Sequence, residues 1–231
     1  MSEGTLAGAQ VLLVRTGMGR ARAQEATAVL IRRCKPEAIL SIGFAGSVVG
    51  ELRAGHLVIA RQVYALEEPP DEGPLAAPNP LACDPAMVEL AVAAARQRRL
   101  AFREGASLTV PQVVSQPEVK QRIGDSLSVE VVEMESYWVG RVAADRGIPF
   151  LIVRAVLDEA SDRLPDLANV IDESGAVVRD RALGQFLSRP RAAPVLIRLA
   201  ARGRRASQRL AVFAEAFLDA FGASHSPGRQ Q

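Results

Sequence analysis

The chain has 231 residues, of which 48% are hydrophobic, and its formal net charge is +2 at pH 7. This length supports one large domain or two small ones, and no segment approaches the roughly 18 apolar residues of a membrane span. The first residues lack the charged and apolar regions of a secretory signal, so we expect a cytoplasmic protein. The two cysteines and two histidines have no metal-ligand spacing. We therefore expect no metal site, and carboxylates become the expected acid–base groups of any enzyme.

The first part of the chain alternates short apolar runs with glycine-rich turns. Residues 11–14 predict a strand, followed by Gly17-Met18-Gly19 and an alanine-rich helix. Residues 38–42 predict a second strand, which ends in a second glycine loop at residues 43–47. Two such loops, each after a strand, bring backbone N–H groups close to a ligand, often an anion.

The turn Gly17-x-Gly19 is also part of a dinucleotide-binding fingerprint. That fingerprint needs an acidic residue near the end of the second strand to hold a ribose hydroxyl. Here the second strand ends in Ser41-Ile42-Gly43. The sequence therefore disfavours a nicotinamide-dependent enzyme.

The middle of the chain continues the alternation of strands and helices. Residues 57–63 predict a third strand, and the proline- and acid-rich residues 67–80 predict a loop suited to a mobile lid. A helix at 86–100, a strand at 106–114 that Pro111 interrupts, and a short helix at 117–124 follow. This alternation predicts an α/β fold with a largely parallel sheet.

The chain is organised around residues 129–162. Glu133 and Glu135 begin a helical pattern, and a later apolar run ends at Asp158. Ligand sites in open parallel α/β sheets lie outside the carboxyl ends of the strands, so Glu135 and Asp158 are the first candidates for chemistry. The residues alone favour a structural alternative, in which the glutamates stabilise a helix N-terminus and Asp158 is a cap.

The last part of the chain is rich in arginine, whereas the whole chain has only two lysines. Residues 192–221 predict a long helical region with one apolar face, and Gly203 is a candidate break. Packing of this face on the sheet or on a partner is the favoured interpretation, and contact with a membrane surface is the alternative. Binding of nucleic acid is disfavoured because only 4% of the residues are aromatic.

Three stretches, in this order, resemble the nucleoside phosphorylase and nucleosidase superfamily. Residues 11–23 are similar to a strand and Gly-x-Gly turn of the family, and residues 36–60 to its second glycine loop and following strand. Residues 132–162 contain VEMES and RAVLDEASD, which resemble the ribose-binding motif and the motif of the catalytic aspartate. The resemblance implies a three-layer α/β/α fold with a mixed, largely parallel central sheet. It also implies cleavage of the N-glycosidic bond of a purine nucleoside by hydrolysis or phosphorolysis.

The resemblance implies a role for each matching residue. Asp158, when protonated, would donate a proton or hydrogen bond to N7 of the purine and so improve the leaving group. Glu135 would accept hydrogen bonds from ribose hydroxyls, Met134 would pack on the sugar, and Glu133 would hold a second hydroxyl or orient the loop. The remaining candidates are Val113 and Val114 beside the base, Phe44 in the second glycine loop, and Gly17, Gly19 and Gly43 near the acceptor water or phosphate.

The chain departs from the pattern of the family in ways that bear on mechanism. The family has an earlier strand and turn that supply either a water-activating carboxylate or phosphate ligands, and nothing here replaces them. Phe44 stands where many members have a serine, and Ser41 where bacterial phosphorylases have an arginine. Both changes remove phosphate ligands, so we expect water rather than phosphate as the acceptor, although phosphate remains the alternative co-substrate. Leu157 replaces a serine beside Asp158, which makes its surroundings drier.

The apolar substitutions and the arginine-rich C-terminal helices resemble the hopanoid-associated branch of the superfamily. That resemblance implies adenine removal from an adenosyl-hopane lipid and a peripheral contact with a membrane. We place the nucleoside phosphorylase-like domain at residues 6–188, an amphipathic helical extension at 189–222 and a disordered tail at 223–231. No cofactor is expected, and the family implies a homo-oligomer. The alternative function is a catalytically impaired nucleoside-binding protein of the same fold.

Overall fold

The computed structural model describes residues 1–70, 75, 80–165 and 193–225. Strands and helices alternate along these ranges, as the sequence predicts. In chain order they are β1 (Ser2–Leu6), β2 (Ala9–Leu13), α1 (Arg20–Cys34), β3 (Ile39–Ser47), β4 (Leu57–Ala65), β5 (Leu81–Ala82), α2 (Pro85–Gln97), β6 (Phe102–Thr109), α3 (Pro117–Ser126), β7 (Val131–Glu133), α4 (Ser136–Ala144), β8 (Phe150–Asp158) and α5 (Ala193–His225).

A six-stranded mixed sheet lies at the centre, in the order β5-β4-β6-β7-β3-β8. A further pairing of β4 with β8 closes this sheet on itself. The two longest ladders, β3 with β8 and β4 with β6, are parallel, whereas β3 with β7 and β4 with β8 are antiparallel. Strand β8 is a near-continuous apolar run because both of its faces are covered. The predicted α/β class with a mixed sheet is confirmed.

Two hydrophobic clusters hold the helices on the sheet. The larger cluster contains side chains from α1, α2, α4 and α5 together with the strands β4 and β8. Helix α2 begins with Pro85 after Asp84, whose carboxylate accepts a hydrogen bond from the Met87 N–H at 2.9 Å and so caps the helix. The smaller cluster lies under α3 and includes Leu108, Ile123 and Val132.

Helix α5 is continuous through Gly203, so the predicted break at this glycine is wrong. Gly203 lies over Leu157, whose Cδ1 would be 3.7 Å from a Cβ at position 203. Burial of the apolar face of α5 outweighs the cost of about 1 kcal/mol for a glycine inside a helix. The buried residues of this face are Ala206, Leu210, Phe213, Ala216 and Phe217. Packing of the face within the chain, the favoured interpretation of the sequence, is therefore confirmed.

The C-terminal boundaries differ in part from the prediction. Helix α5 continues to His225, past the predicted end at Gly222. The predicted boundary between residues 188 and 189 and the tail at 226–231 lie outside the described residues. The same holds for residues 71–74 and 76–79 of the predicted lid. Within the described ranges, no helix combines the length and the apolar character needed to cross a bilayer.

The N-terminal strand forms a hairpin apart from the main sheet. Strand β2 pairs with β1 in a two-stranded antiparallel sheet, with Leu6 opposite Ala9. The two turn residues, Ala7 and Gly8, have φ values of 50° and 79°. Positive φ at both central residues is the requirement of a tight type I′ hairpin. The sequence of β1, Ser-Glu-Gly-Thr-Leu, has no alternating apolar pattern, so sequence analysis missed this strand.

The second glycine segment is part of a strand, and its prediction as a loop is wrong. Strand β3 extends through Ser47, paired with β8 along nearly its whole length. A register shift between Ala45 and Gly46 marks a bulge near the end of the ladder. The hydrogen bonds of β8 hold this segment extended despite its two glycines. Gly43 therefore lies within a strand and not in an open loop.

Candidate active site

Asp158 is the last residue of β8 and is buried. The bulge in β3 aligns Gly46 with Asp158 on one side, and Val132 of β7 pairs with Gly46 on the other. A Cβ at position 46 would lie 2.7 Å from Oδ2 of Asp158, closer than side-chain carbons approach. The lack of a side chain at Gly46 is thus what leaves room for the Asp158 carboxylate.

Lys120 of α3 is paired with Asp158, and sequence analysis did not identify it. This lysine is 0% exposed, and its Nζ donates a hydrogen bond to Oδ2 of Asp158. The same Nζ donates to the carbonyl oxygens of Glu159 at 3.0 Å and Asp162 at 3.2 Å. Burial raises the pKa of Asp158 above its ordinary value, and the Lys120 ammonium opposes that rise. The rarity of lysine in this arginine-rich chain is the feature of the sequence that could have identified Lys120.

Arginines of α5 hold the loop that follows Asp158. Arg202 donates from Nη1 to Oδ2 of Asp162 and lies 3.4 Å from Oε1 of Glu159. Nη2 of Arg198 lies 3.5 Å from Oδ1 of Asp162. Burial alone would raise the pKa of Asp162, but hydrogen bonds from the Glu159 N–H and Arg202 outweigh it, and the net pKa is lowered. The arginine-rich helix therefore contacts the candidate site directly.

Glu133 at the end of β7 is buried, and both of its carboxylate oxygens have protein donors. Oε1 accepts from the hydroxyl of Thr109, and Oε2 accepts from the N–H groups of Glu135 at 3.0 Å and Ser136 at 2.8 Å. These N–H groups open α4, where an anion is favoured by the helix dipole. Of the two roles implied for Glu133, these contacts favour orientation of the loop.

Arg154 of β8 is the buried counter-charge of Glu133, with Nη2 at 3.3 Å from Oε2. Its guanidinium also donates to the hydroxyl of Ser41 at 2.9 Å and to the Ser41 carbonyl at 3.1 Å. A Cβ at Gly43 would lie 3.5 Å from Nη1 of Arg154, so Gly43 contacts the guanidinium. Sequence analysis missed Arg154, although a charge inside an apolar strand was visible.

Glu135 is hydrogen-bonded to the first glycine turn. Its Oε1 accepts a hydrogen bond of 2.8 Å from the N–H of Gly19. Gly17 and Gly19 have φ values of 77° and 85°, which favour glycine at both positions. Burial raises the pKa of Glu135, and the negative charge of Glu133 adds to that rise. The turn before α1 and the start of α4 therefore form one unit.

The other predicted site residues have mixed surroundings. Met134 is half-buried between the two glutamates. The side chain of Val114 is buried in the smaller hydrophobic cluster, so any contact with a base would use its backbone. Val113 and Phe44 are 41% and 42% exposed and are available to a ligand.

The sequence is similar to a protein family and to individual nucleosidases. A family model described as the phosphorylase superfamily matches residues 1–183. The 5′-methylthioadenosine/S-adenosylhomocysteine nucleosidase of Geobacillus kaustophilus (strain HTA426) is 30% identical over 174 residues, which cover 70% of this chain and 72% of that protein. The nucleosidase of the same name from Shewanella sp. (strain MR-7) is 30% identical over 186 residues, covering 74% and 77%.

Solved structures share the fold. The Neisseria meningitidis 5′-methylthioadenosine/S-adenosylhomocysteine nucleosidase in complex with methylthio-immucillin-A aligns with a TM-score of 0.71 at 23% identity, covering 94% of this chain and 84% of that one. The native futalosine hydrolase of Helicobacter pylori strain 26695 aligns with a TM-score of 0.68 at 19% identity, covering 94% and 87%. At these identities the alignments establish the common architecture.

Proposed function

The chain belongs to the phosphorylase superfamily, and from that membership we propose that it is a nucleosidase that hydrolyses the N-glycosidic bond of an adenosine-type nucleoside. The observation that carries the proposal is the arrangement of Asp158, a buried carboxyl at a strand end with space kept for it by Gly46. The names of the relatives at 30% identity support the class of reaction and of substrate.

The chemistry of the bond assigns complementary tasks to two carboxyl groups. Cleavage builds positive charge on the ribose and negative charge on the departing base. Asp158, with its pKa raised by burial, would hold a proton and give it to N7 of the purine. Glu135 would accept hydrogen bonds from the ribose hydroxyls and stabilise the developing cation.

Water is the acceptor that the contacts favour. The Gly19 N–H lies at the start of α1 and could serve a phosphate, but it donates to Glu135 instead. The Arg154 guanidinium, another potential phosphate ligand, is engaged by Ser41 and Glu133. Phosphate would have to displace these protein acceptors, at a cost in buried hydrogen bonds. Phosphorolysis therefore remains the second candidate reaction.

A nucleoside with an apolar 5′ substituent fits the exposed side chains. Phe44 and Val113 are two of the predicted site residues, and both expose apolar surface. An adenosyl-hopane lipid is one such substrate, and methylthioadenosine is another. The buried apolar face of α5 is not free for a bilayer, so a peripheral contact would involve its exposed N-terminal part, where Ile197 is 65% exposed.

The proposal is tested by measuring base release from the full chain. The substrates are methylthioadenosine, S-adenosylhomocysteine, adenosine, inosine and an adenosyl-hopane extract, each with and without phosphate. We expect adenine release that does not depend on phosphate. A phosphate requirement would establish phosphorolysis, and nucleoside binding without any release would establish the binding-protein alternative. The homo-oligomer implied by the resemblance stays a prediction, which sedimentation of the same sample tests.

Gly46→Ala should disable the site while the chain still folds. The added methyl group would collide with Oδ2 of Asp158 and displace the carboxylate, and misplacement by about 1 Å can cost about 100-fold in rate. The measurement is kcat/KM for adenine release. Gly50→Ala is the matched control, because nothing lies within 4 Å of a Cβ at that position. Equal activity of the two variants would contradict this account of Gly46.

A further inference from the structure

We propose that Lys120 is a positioning residue, which holds one oxygen of Asp158 and leaves the other to carry the transferable proton. This inference rests on the proposed function and assigns a role that the resemblance did not imply. Lys120 lies on α3, 38 residues before Asp158 in the sequence.

The ammonium group of Lys120 has no unused donor. Its three N–H groups match three acceptors, namely Oδ2 of Asp158 and the carbonyl oxygens of Glu159 and Asp162. The contacts fix the carboxylate and the following loop to one point in the first turn of α3. The planar fork of an arginine would not reproduce this arrangement, because its donors lie in one plane and reach further.

The second oxygen of Asp158 has a different environment. Within the described part of the chain, no hydrogen bond reaches Oδ1 of Asp158. The charged groups that face the carboxyl are Lys120 from α3, Asp162 from the following loop and Arg202 from α5. The two oxygens are therefore unequal: Oδ2 is held by a cation, and Oδ1 can bear a proton directed at a ligand.

Lys120 acts in the step that transfers the proton from Asp158 to the base. The Oδ1–H bond of Asp158 breaks as an N–H bond forms at N7 of the purine. The bond between the sugar C1′ and N9 breaks, and its electron pair moves to the base. One water adds to C1′, and the proton that the water loses passes through solvent and restores Asp158. The carboxylate formed on transfer carries a new negative charge, which Lys120 balances at Oδ2.

Lys120→Met should therefore change the pH dependence of catalysis. Asp158 acts in its protonated form, so the rate falls as pH rises through the pKa of this group. An opposite charge at hydrogen-bond distance lowers a carboxyl pKa by about 1–3 units. Removal of Lys120 should move the falling limb of kcat for methylthioadenosine to higher pH by about that amount. The rate on the acidic side of the limb should fall about tenfold, because the acid is weaker.

Two comparisons separate this role from a merely structural one. p-Nitrophenyl riboside has a leaving group that departs without protonation, so Lys120→Met should cleave it at close to the wild-type rate. Lys120→Arg keeps the charge, so its falling limb should stay near that of the wild type while its rate falls. Should Lys120→Met fail to fold, Lys120→Gln, which keeps a neutral donor, carries the same comparison.

The possible outcomes are distinct. If the wild type is active and neither Lys120→Met nor Lys120→Gln shifts the falling limb of kcat, the proposed role of Lys120 is overturned. The nucleosidase function would still stand. Equal losses on the nucleoside and the aryl riboside would also overturn it. A wild type that cleaves neither substrate would overturn the proposed function together with this inference. A shifted limb with retained aryl riboside cleavage is the result we expect.

Discussion

Asp158→Asn should lower adenine release by about 10²–10⁴-fold, the usual contribution of a general acid. Asparagine keeps the size of the side chain and an oxygen that can accept from Lys120, but it has no transferable proton. The chain should therefore fold and bind a nucleoside as the wild type does. The measurement is single-turnover release of adenine from methylthioadenosine, with nucleoside affinity determined on the same samples.

The matched control for this substitution is Asp145→Asn. Asp145 is exposed at the end of α4 and forms an i,i+4 pair with Arg141 on the surface. This variant should release adenine at the wild-type rate. An Asp158→Asn chain that keeps more than about a tenth of the activity would exclude general acid catalysis by this residue.

Arg154→Met should lower the free energy of unfolding by about 3–5 kcal/mol, the cost of breaking a buried ion pair. The substitution leaves Glu133 as a buried carboxylate that has lost its counter-charge and the hydroxyl of Ser41 without its donor. Typical domains have only about 5–15 kcal/mol of stability, so the loss would be a large share. Urea unfolding followed by circular dichroism provides the measurement.

Arg61→Met is the comparison for an exposed arginine. Arg61 of β4 contacts Glu89 at 2.9 Å and also pairs with Glu104, and half of its side chain is exposed. Exposed pairs contribute about 0–1 kcal/mol, so this variant should unfold close to the wild type. Similar decreases in the free energy of unfolding for the two variants would contradict this prediction. They would mean that burial does not account for the stabilisation by the ion pair of Arg154.

The parts of the site that are local in sequence could be predicted, and the parts that are distant could not. Asp158 and Glu135 were identified because one ends an apolar run and the other begins a helical pattern, within a single stretch of chain. Lys120 and Arg202 reach the loop after β8 from two other helices. Their partnership depends on how those helices pack, which no local pattern records.

The second glycine segment gives a similar lesson about the fold. Its composition is typical of a loop, and a loop was therefore predicted from the sequence. Whether such a segment is a loop or a strand depends on the partner beside it, here β8. The class of the fold was nevertheless predictable, because the alternation of strands and helices is a property of the whole chain.

The dependence of the Asp158 loop on α5 has a consequence for biosynthesis. The ribosome makes the ribose and aspartate motifs well before it makes Arg202, which holds the loop, and Phe213, which fills the core. A nascent chain that stops before Ala193 lacks both, and the large face that α5 covers stays exposed to solvent. Assembly of the candidate site therefore requires that α5 has been synthesised and has packed on the sheet.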